Sequence, residues 1–327
     1  MAKTVHWGIM GTGHIARKFA EGLVYVKNAR LAAVGSRLQT TADEFGALFN
    51  VPKRFGSYEQ LANDPAIQAV YIATPNHLHM ENALLCIKAG KAVLCEKPFA
   101  LNVLQAGKII KAARENKCFV MEAMWTRFLP LFNTIKDMLK KGVIGDPEML
   151  TANFGFKAIY NPTGRLFNPE YGGGALLDIG VYPISLSSMI FGSPSMIRAL
   201  AHIGKTNVDE KIAITLGHAN NRLALLHAAI RVQTDQEADI LGSTGRIKIH
   251  APWWHPTKMS VLIPGSKEQI IDLPYTGNGY NYEIAEVNKC FLAKKLESDI
   301  MPLDETLSII DTMDKIRDQI GLKYPGE

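Results

Sequence analysis

A chain of 327 residues, 47% hydrophobic and 20% charged, holds more apolar material than one ordinary domain buries, so two domains are expected. The net charge of +5 is spread without blocks of five or more like charges, which argues against a nucleic-acid partner and suits a small anionic ligand. Four distant cysteines (Cys86, Cys95, Cys118, Cys290), no leader-like segment and no apolar run approaching bilayer-spanning length predict a soluble cytoplasmic protein with no membrane partner.

The first element is a strand over 5–10, followed directly by Gly11-Thr12-Gly13-His14-Ile15-Ala16. A turn poor in side chains that opens a helix is a place for a pyrophosphate. The first glycine permits the tight turn, the second lets backbone approach phosphate oxygens, and Ala16 lets helix pack on strand. A merely structural turn is the alternative. The periodic residues Ile15, Phe19 and Leu23 and a second strand over 31–35 complete a βαβ spacing that favours the dinucleotide reading.

Further strands are predicted at 69–73, 92–95 and 118–121, with helices over 80–89 and 103–116 between them. This is an α/β pattern: a doubly wound parallel sheet with its ligand at the carboxyl ends of the strands. Motifs fall at those ends. After the second strand come Ser36 and Arg37, where a carboxylate would mark NAD; a hydroxyl and a guanidinium favour NADP, unless Arg37 is a plain surface charge. Thr74-Pro75-Asn76 follows the third strand and Glu96-Lys97-Pro98 the fourth; Lys97 is either a strand-end charge or a cation beside the nicotinamide. His77 and His79 form H-x-H, but no third ligand clusters nearby, so no metal is predicted.

A dinucleotide-binding domain over 1–123 and an α+β domain over 124–327 follow, the last helix (303–320) packing back on the first domain. The second domain begins with helices, one over the lysines 136–141 with Ile135, Met138 and Leu139 as its buried face. Strands follow at 149–157, 196–203, 211–218, 222–230, 238–241 and 246–250, with a hairpin turn at Gly242-Ser243-Thr244-Gly245, giving a large, mostly antiparallel sheet. Between the first and second of these, Tyr171-Gly172-Gly173-Gly174 leads into a helix carrying Asp178 and Tyr182, four apart and so on one face. A phenol becomes a usable acid or base when a cation such as Lys97 stabilises its phenolate, and Asp178 can orient it; the plain alternative is a helix-start Asp with a core Tyr. Pro183 moves the start of regular helix to near Gly180. Trp125 and Arg127 are interface packing or a substrate wall, and Phe154 is a strand core residue or part of that wall. Trp253 and Trp254 either cover a ring-shaped ligand or seal the core.

Together the glycine turn, Ala73-Thr74-Pro75-Asn76-His77-Leu78-His79, Glu96-Lys97-Pro98 and the stretch from Gly173 to Tyr182 resemble the Gfo/Idh/MocA oxidoreductase family over nearly the full length. Met121-Glu122-Ala123-Met124-Trp125-Thr126-Arg127-Phe128 and Tyr182 are most similar to its dimeric dihydrodiol dehydrogenase branch, itself similar to glucose-fructose oxidoreductase. The resemblance implies a Rossmann domain followed by an open-faced sheet through which two copies pair. It implies NADP-dependent oxidation of trans-dihydrodiols and some pentoses, with Lys97 and Tyr182 as the catalytic pair, either Tyr182 or Lys97 being the proton carrier, and Asp178 assisting. Trp125, Phe154 and Trp254 would line the pocket for a diol, sugar or polyol. Gly11, Thr12, Gly13, His14, Ile15, Ser36, Arg37, Thr74, Pro75, Asn76, His79, Glu96, Lys97, Trp125 and Arg127 would contact the cofactor. Tyr182 stands where inositol dehydrogenases carry histidine, which argues against inositol. A nucleotide sensor of the same fold that catalyses nothing, and a sugar oxidoreductase that never releases its nucleotide, are the rival readings.

Overall fold

The computed structural model describes residues 3–325 and 327. They form two compact units, each built from two stretches of chain: the first from the described residues up to 128 together with 276–307, the second from 129–275 together with the described residues from 308 on.

The first unit holds six parallel strands: β1 (Val5–Met10), β2 (Ala29–Gly35), β3 (Lys53–Phe55), β4 (Ala69–Ile72), β5 (Ala92–Glu96) and β6 (Val120–Ala123), in the order β3-β2-β1-β4-β5-β6. The order reverses at β1, whose neighbours are β2 and β4, so the crevice lies past their carboxyl ends. Helices α1 (His14–Leu23), α2 (Gln39–Leu48), α3 (Tyr58–Asn63), α4 (His79–Lys88) and α5 (Val103–Glu115) connect the strands. Continuous burial along β4 and β5 is what a parallel sheet covered on both faces requires. On one face Phe19 of α1 stacks on Tyr71 of β4 at 3.7 Å, next to Trp7. The indole of Trp7 donates to Asn288 Oδ1 at 3.0 Å from a helix that returns late in the chain. The short strand β3 was not anticipated. Lys53-Arg54-Phe55 carries no apolar run, because an edge position needs only one pairing side.

The second unit begins with a helix, α6 (Pro130–Lys140); Ile135 is buried and Met138 and Leu139 half-buried, so the lysines form its wet side. Eight strands follow: β7 (Pro147–Gly155), β8 (Met196–Ile203), β9 (Asp209–Gly217), β10 (Leu223–Ala229), β11 (Ala238–Gly242), β12 (Arg246–Ile249), β13 (Lys258–Leu262) and β14 (Gln269–Asp272). Their order is β14-β13-β12-β11-β7-β10-β9-β8, antiparallel except where β7 meets β10. The predicted architecture is borne out, including the β11–β12 hairpin at Gly242 to Gly245; β13 and β14 extend the sheet beyond expectation. Alternation sorts its two faces: Leu150, Ala152, Phe154, Ala224, Leu226 and Ala228 are buried, whereas Leu223, Leu225 and Leu200 face outward.

Against the inner face lies α7 (Val181–Phe191), preceded by a π-helical turn over Leu176–Gly180. Regular α-helix thus starts beside Gly180, and Pro183, which has no N–H to give, falls in its first turn, where the π turn hands over to the α-helical ladder. One expectation is corrected here. The stretch Pro169–Phe191 is long and apolar enough to span a bilayer by length and composition. It is buried almost throughout, and its all-round apolar character is that of a core helix. The remaining helices are α8 (Tyr280–Leu292), in the first unit, and α9 (Leu303–Ile320), which runs from the first unit into the second.

Candidate active site

In the first unit the site is built from strand ends. Gly11 adopts φ +100° with its Cα against β4: a Cβ there would lie 2.7 Å from the Ala73 carbonyl oxygen, so only glycine makes the turn. Gly13 caps α1 with no side-chain hydrogen bond, and a Cβ on it would meet nothing within 4 Å. The first-turn N–H groups of α1 therefore face open space, with no acidic residue among them. Thr12 and Ile15 are half-buried and His14 exposed along this edge.

At the end of β2, Thr41 donates to the Leu38 carbonyl and Ser36 donates to Thr41 Oγ1 at 2.6 Å; the adjoining Arg37 is exposed. After β4, Thr74 Oγ1 accepts from Asn82, and the Nδ2 atom of Asn76, although buried, has no hydrogen-bond partner among the described residues. An open helix N-terminus, a guanidinium beside a hydroxyl and an orphaned buried amide together fit a phosphorylated dinucleotide.

Beneath this edge the Glu96-Lys97-Pro98 turn, whose Lys97–Pro98 bond is cis, is held by buried groups. Glu96 accepts from the Tyr71 hydroxyl on one oxygen and from the Lys97 backbone N–H on the other. Burial pushes the Tyr71 hydroxyl well above its ordinary value, so it stays a donor. The ring of His79, fully buried, lies between the carbonyls of Pro98 (2.8 Å) and Thr74 (2.9 Å). Both carbonyls favour the charged ring, yet burial outweighs them and lowers its pKa to about 4, so a neutral His79 donates to one of the two. His79 thereby ties two strand-end turns together from behind. Glu122 accepts from the Phe99 N–H, and burial raises its carboxyl to about 7. Glu283 of α8 is also fully buried, with both oxygens lacking hydrogen-bond partners among the described residues, and burial holds it protonated. Arg127, buried, pairs with Glu305 at 2.7 Å, and Trp125 stacks on Tyr280 at 4.9 Å.

In the second unit Asp178 lies in the π turn and Tyr182 in the first turn of α7, both buried. Phe154 lies 5.5 Å from the Tyr182 ring and is stacked at 3.5 Å on Trp254, which is half-buried. Trp253 has the other role: fully buried, it donates to the Asn153 carbonyl at 2.6 Å and seals the core. The three-glycine turn is packed tightly from inside. Gly174 adopts φ +116°, and a Cβ there would collide with Asp209 Oδ1. Asp209 accepts from the Leu176 N–H at 2.7 Å, and burial raises its carboxyl to about 7. Tyr324 donates to the Gly173 carbonyl at 2.8 Å, beneath the Arg317 guanidinium. Asp178 is met by Arg165 through two contacts, Nη1–Oδ1 at 2.6 Å and Nη2–Oδ2 at 3.3 Å.

The structure thus gathers Asp178, Tyr182, Phe154 and Trp254 in one unit, and the glycine turn with Ser36, Arg37, Thr74, Asn76, Glu96 and Lys97 along the strand ends of the other. Sequence reasoning missed Arg165, Asp209, Tyr324 and Glu283. Charges in loops and tails carry no periodic signal, and only the close-packed glycines pointed to something pressing on that turn.

A Rossmann-type sheet with an open helix N-terminus at its switch point, joined to an α+β unit bearing a buried Tyr-Asp pair, defines a nucleotide-dependent oxidoreductase class. The chain matches the family model for the Gfo/Idh/MocA oxidoreductases, NAD-binding Rossmann fold, over residues 5–124, and the model for the family's C-terminal domain over residues 132–248. It belongs to that family. Among curated relatives it is 37% identical to the trans-1,2-dihydrobenzene-1,2-diol dehydrogenase of Xenopus laevis, covering 98% of this chain and 99% of the relative. It is 33% identical to the enzyme of the same name from Homo sapiens, covering 99% of each. A 3-ketoreductase from Actinomadura kijaniata, solved with NADP and TDP-benzene, superimposes with a TM-score of 0.87 at 25% identity, covering 97% of this chain and 98% of the other.

Proposed function

We propose that this protein is an NADP-dependent dehydrogenase or reductase that transfers a hydride between nicotinamide and a secondary alcohol or ketone carbon of a trans-dihydrodiol, sugar or polyol. The observation that carries the reading is the Tyr182 group: a phenol with an aromatic stack beside it and an ion-paired carboxylate one turn earlier. Flat aromatic faces suit a cyclic diol or the C–H face of a sugar, and the carboxylate and phenol suit its hydroxyls. The names of the relatives, and the NADP bound to the ketoreductase, support the same reading.

When bound, NADP is the hydride acceptor or donor. The turn from Gly11 to Ile15 and the N–H groups of α1 would hold the pyrophosphate; Ser36 and Arg37 would hold the 2′-phosphate. Thr74, Pro75, Asn76 and the Glu96-Lys97 turn, positioned by His79, would contact the nicotinamide half, with Trp125 and Arg127. Tyr182 takes the proton of the reacting hydroxyl in oxidation and returns it in reduction. In this reading Lys97 would stabilise the phenolate, and Asp178 would orient the hydroxyl. Phe154, Trp254 and Trp125 would each contact the substrate.

Nicotinamide absorbance with NADP⁺ and NAD⁺ against trans-dihydrodiols, pentoses, hexoses and inositols tests this, with turnover expected on NADP⁺. Tyr182→Phe should cut kcat about 10²- to 10⁴-fold and leave NADP affinity unchanged. Silence across the panel with NADPH still binding would indicate a sensor instead.

The outer sheet face supports a homodimer. Leu200 is 82% exposed and Met196, Leu223 and Leu225 lie near it, with Arg198 beside them. A hollow of about 670 Å³ runs along this face of β7–β10. One such patch on each copy makes an isologous pair. Light scattering should give a dimer, and Leu225→Glu a monomer. Four buried free thiols support a reducing, cytoplasmic setting.

A further inference from the structure

The loop over 157–172 leaves β7 and returns to the three-glycine turn, and it is fastened at three places. Phe167, fully buried, meets the Tyr160 ring edge-on, and the Arg231 guanidinium lies 5.5 Å from the Tyr160 ring and 5.8 Å from the Phe167 ring. The Gly174 N–H donates to the Leu166 carbonyl at 2.9 Å, and the Gly173 N–H to the Asn168 carbonyl at 3.1 Å. Between these anchors Arg165 reaches Asp178 with both terminal nitrogens. The pairing is asymmetric in burial: the Asp178 side chain is 8% exposed and that of Arg165 51%. A buried carboxylate is therefore gripped from solvent by a residue on a loop whose tip, Ile159, is almost fully exposed.

We propose that Arg165 is a positioning residue: it latches the 157–172 loop onto Asp178 and fixes that carboxylate one turn ahead of Tyr182. The planar guanidinium sets both the position and the rotation of a carboxylate, which a single ammonium contact does not. The Arg165 and Leu166 carbonyls also press on Gly173, where a Cβ would lie 2.9 and 2.8 Å from them, so loop and turn move as one piece. This role rests on the proposed dehydrogenase chemistry for its catalytic consequence, though not for its mechanics.

Hydrogen exchange on the full chain tests the mechanics without substrate. Arg165→Ala and Asp178→Asn should each raise exchange of the 157–172 amides about tenfold, Arg165→Lys by less, and the double variant no further than either single change. Unchanged exchange in Arg165→Ala, or additive effects in the double variant, would overturn the latch. In turnover, Arg165→Ala should raise the KM for diol or sugar at least about tenfold with the KM for NADP unchanged, and millimolar guanidinium should recover most of the loss. A fall in kcat alone, deaf to guanidinium, would show a merely structural role and overturn positioning. If the wild-type chain turns over no diol or sugar, the dehydrogenase reading fails, and exchange still decides the latch.

Discussion

Each unit presents a glycine turn before a helix, and the two use glycine for opposite ends. At Gly13 the missing side chain leaves emptiness: nothing would touch a Cβ, and the α1 N–H groups look outward. At Gly174 the space is already taken by Asp209, with Tyr324 bonded to the neighbouring Gly173 carbonyl. The first turn reserves room for a ligand; the second lets the protein's own groups press against the helix that carries Tyr182. Like spellings in sequence thus report a binding surface in one place and a buried joint in the other.

The contrast breaks first at Gly174. Gly174→Ala combines a positive φ with a collision, so it should cost at least about 2 kcal/mol of unfolding free energy, read by denaturant titration. Gly13→Ala should leave the denaturation midpoint unchanged and weaken NADP about tenfold, or ~1.4 kcal/mol, by calorimetry. Equal stability losses in both variants would erase the distinction. Asp209 sharpens it through pH. Its carboxyl titrates near 7 in the fold and near 4 when unfolded, so between those values the unfolded chain has released a proton that the fold keeps. Stability from this group is therefore fully present below about pH 4 and falls until about pH 7. Relative to wild type, Asp209→Asn should be neutral at pH 4 and gain by up to about 1.4 kcal/mol per unit as pH rises to 7. A gap independent of pH would refute this. The smallest effect is Tyr324→Phe, which removes one hydrogen bond to the Gly173 carbonyl and should cost about 1 kcal/mol, with NADP binding untouched.

The first unit was the more legible of the two. Its strands are continuous apolar runs, and its motifs stand at their carboxyl ends because that is where a parallel sheet exposes turns. In the second unit Met196 to Ile203 was readable, whereas Lys258 to Leu262 and Gln269 to Asp272 were not: they are only five and four residues long and mix charged or polar residues with apolar ones, which local pattern does not separate from loop. Tyr182 and Asp178 could be named from spacing, but not the groups that hold them. Arg165 and Tyr324 stand 13 residues before Asp178 and 142 after Tyr182, and no local pattern encodes a partner at such distances. The return of α8 to the first unit was similarly hidden, since an amphipathic helix declares a buried face without saying what it is buried against.

The place of β7 bears on the order in which the molecule can be made. It is the first strand of its sheet to leave the ribosome, yet it is flanked by β10 and β11, the nearer of which begins at Leu223. Until both have been synthesised, Pro147 to Gly155 has two unsatisfied edges, and its apolar side chains wait for partners far along the chain. Pairing of that kind is slow and favours association with other nascent chains, so this stretch is where a chaperone would be most useful during synthesis.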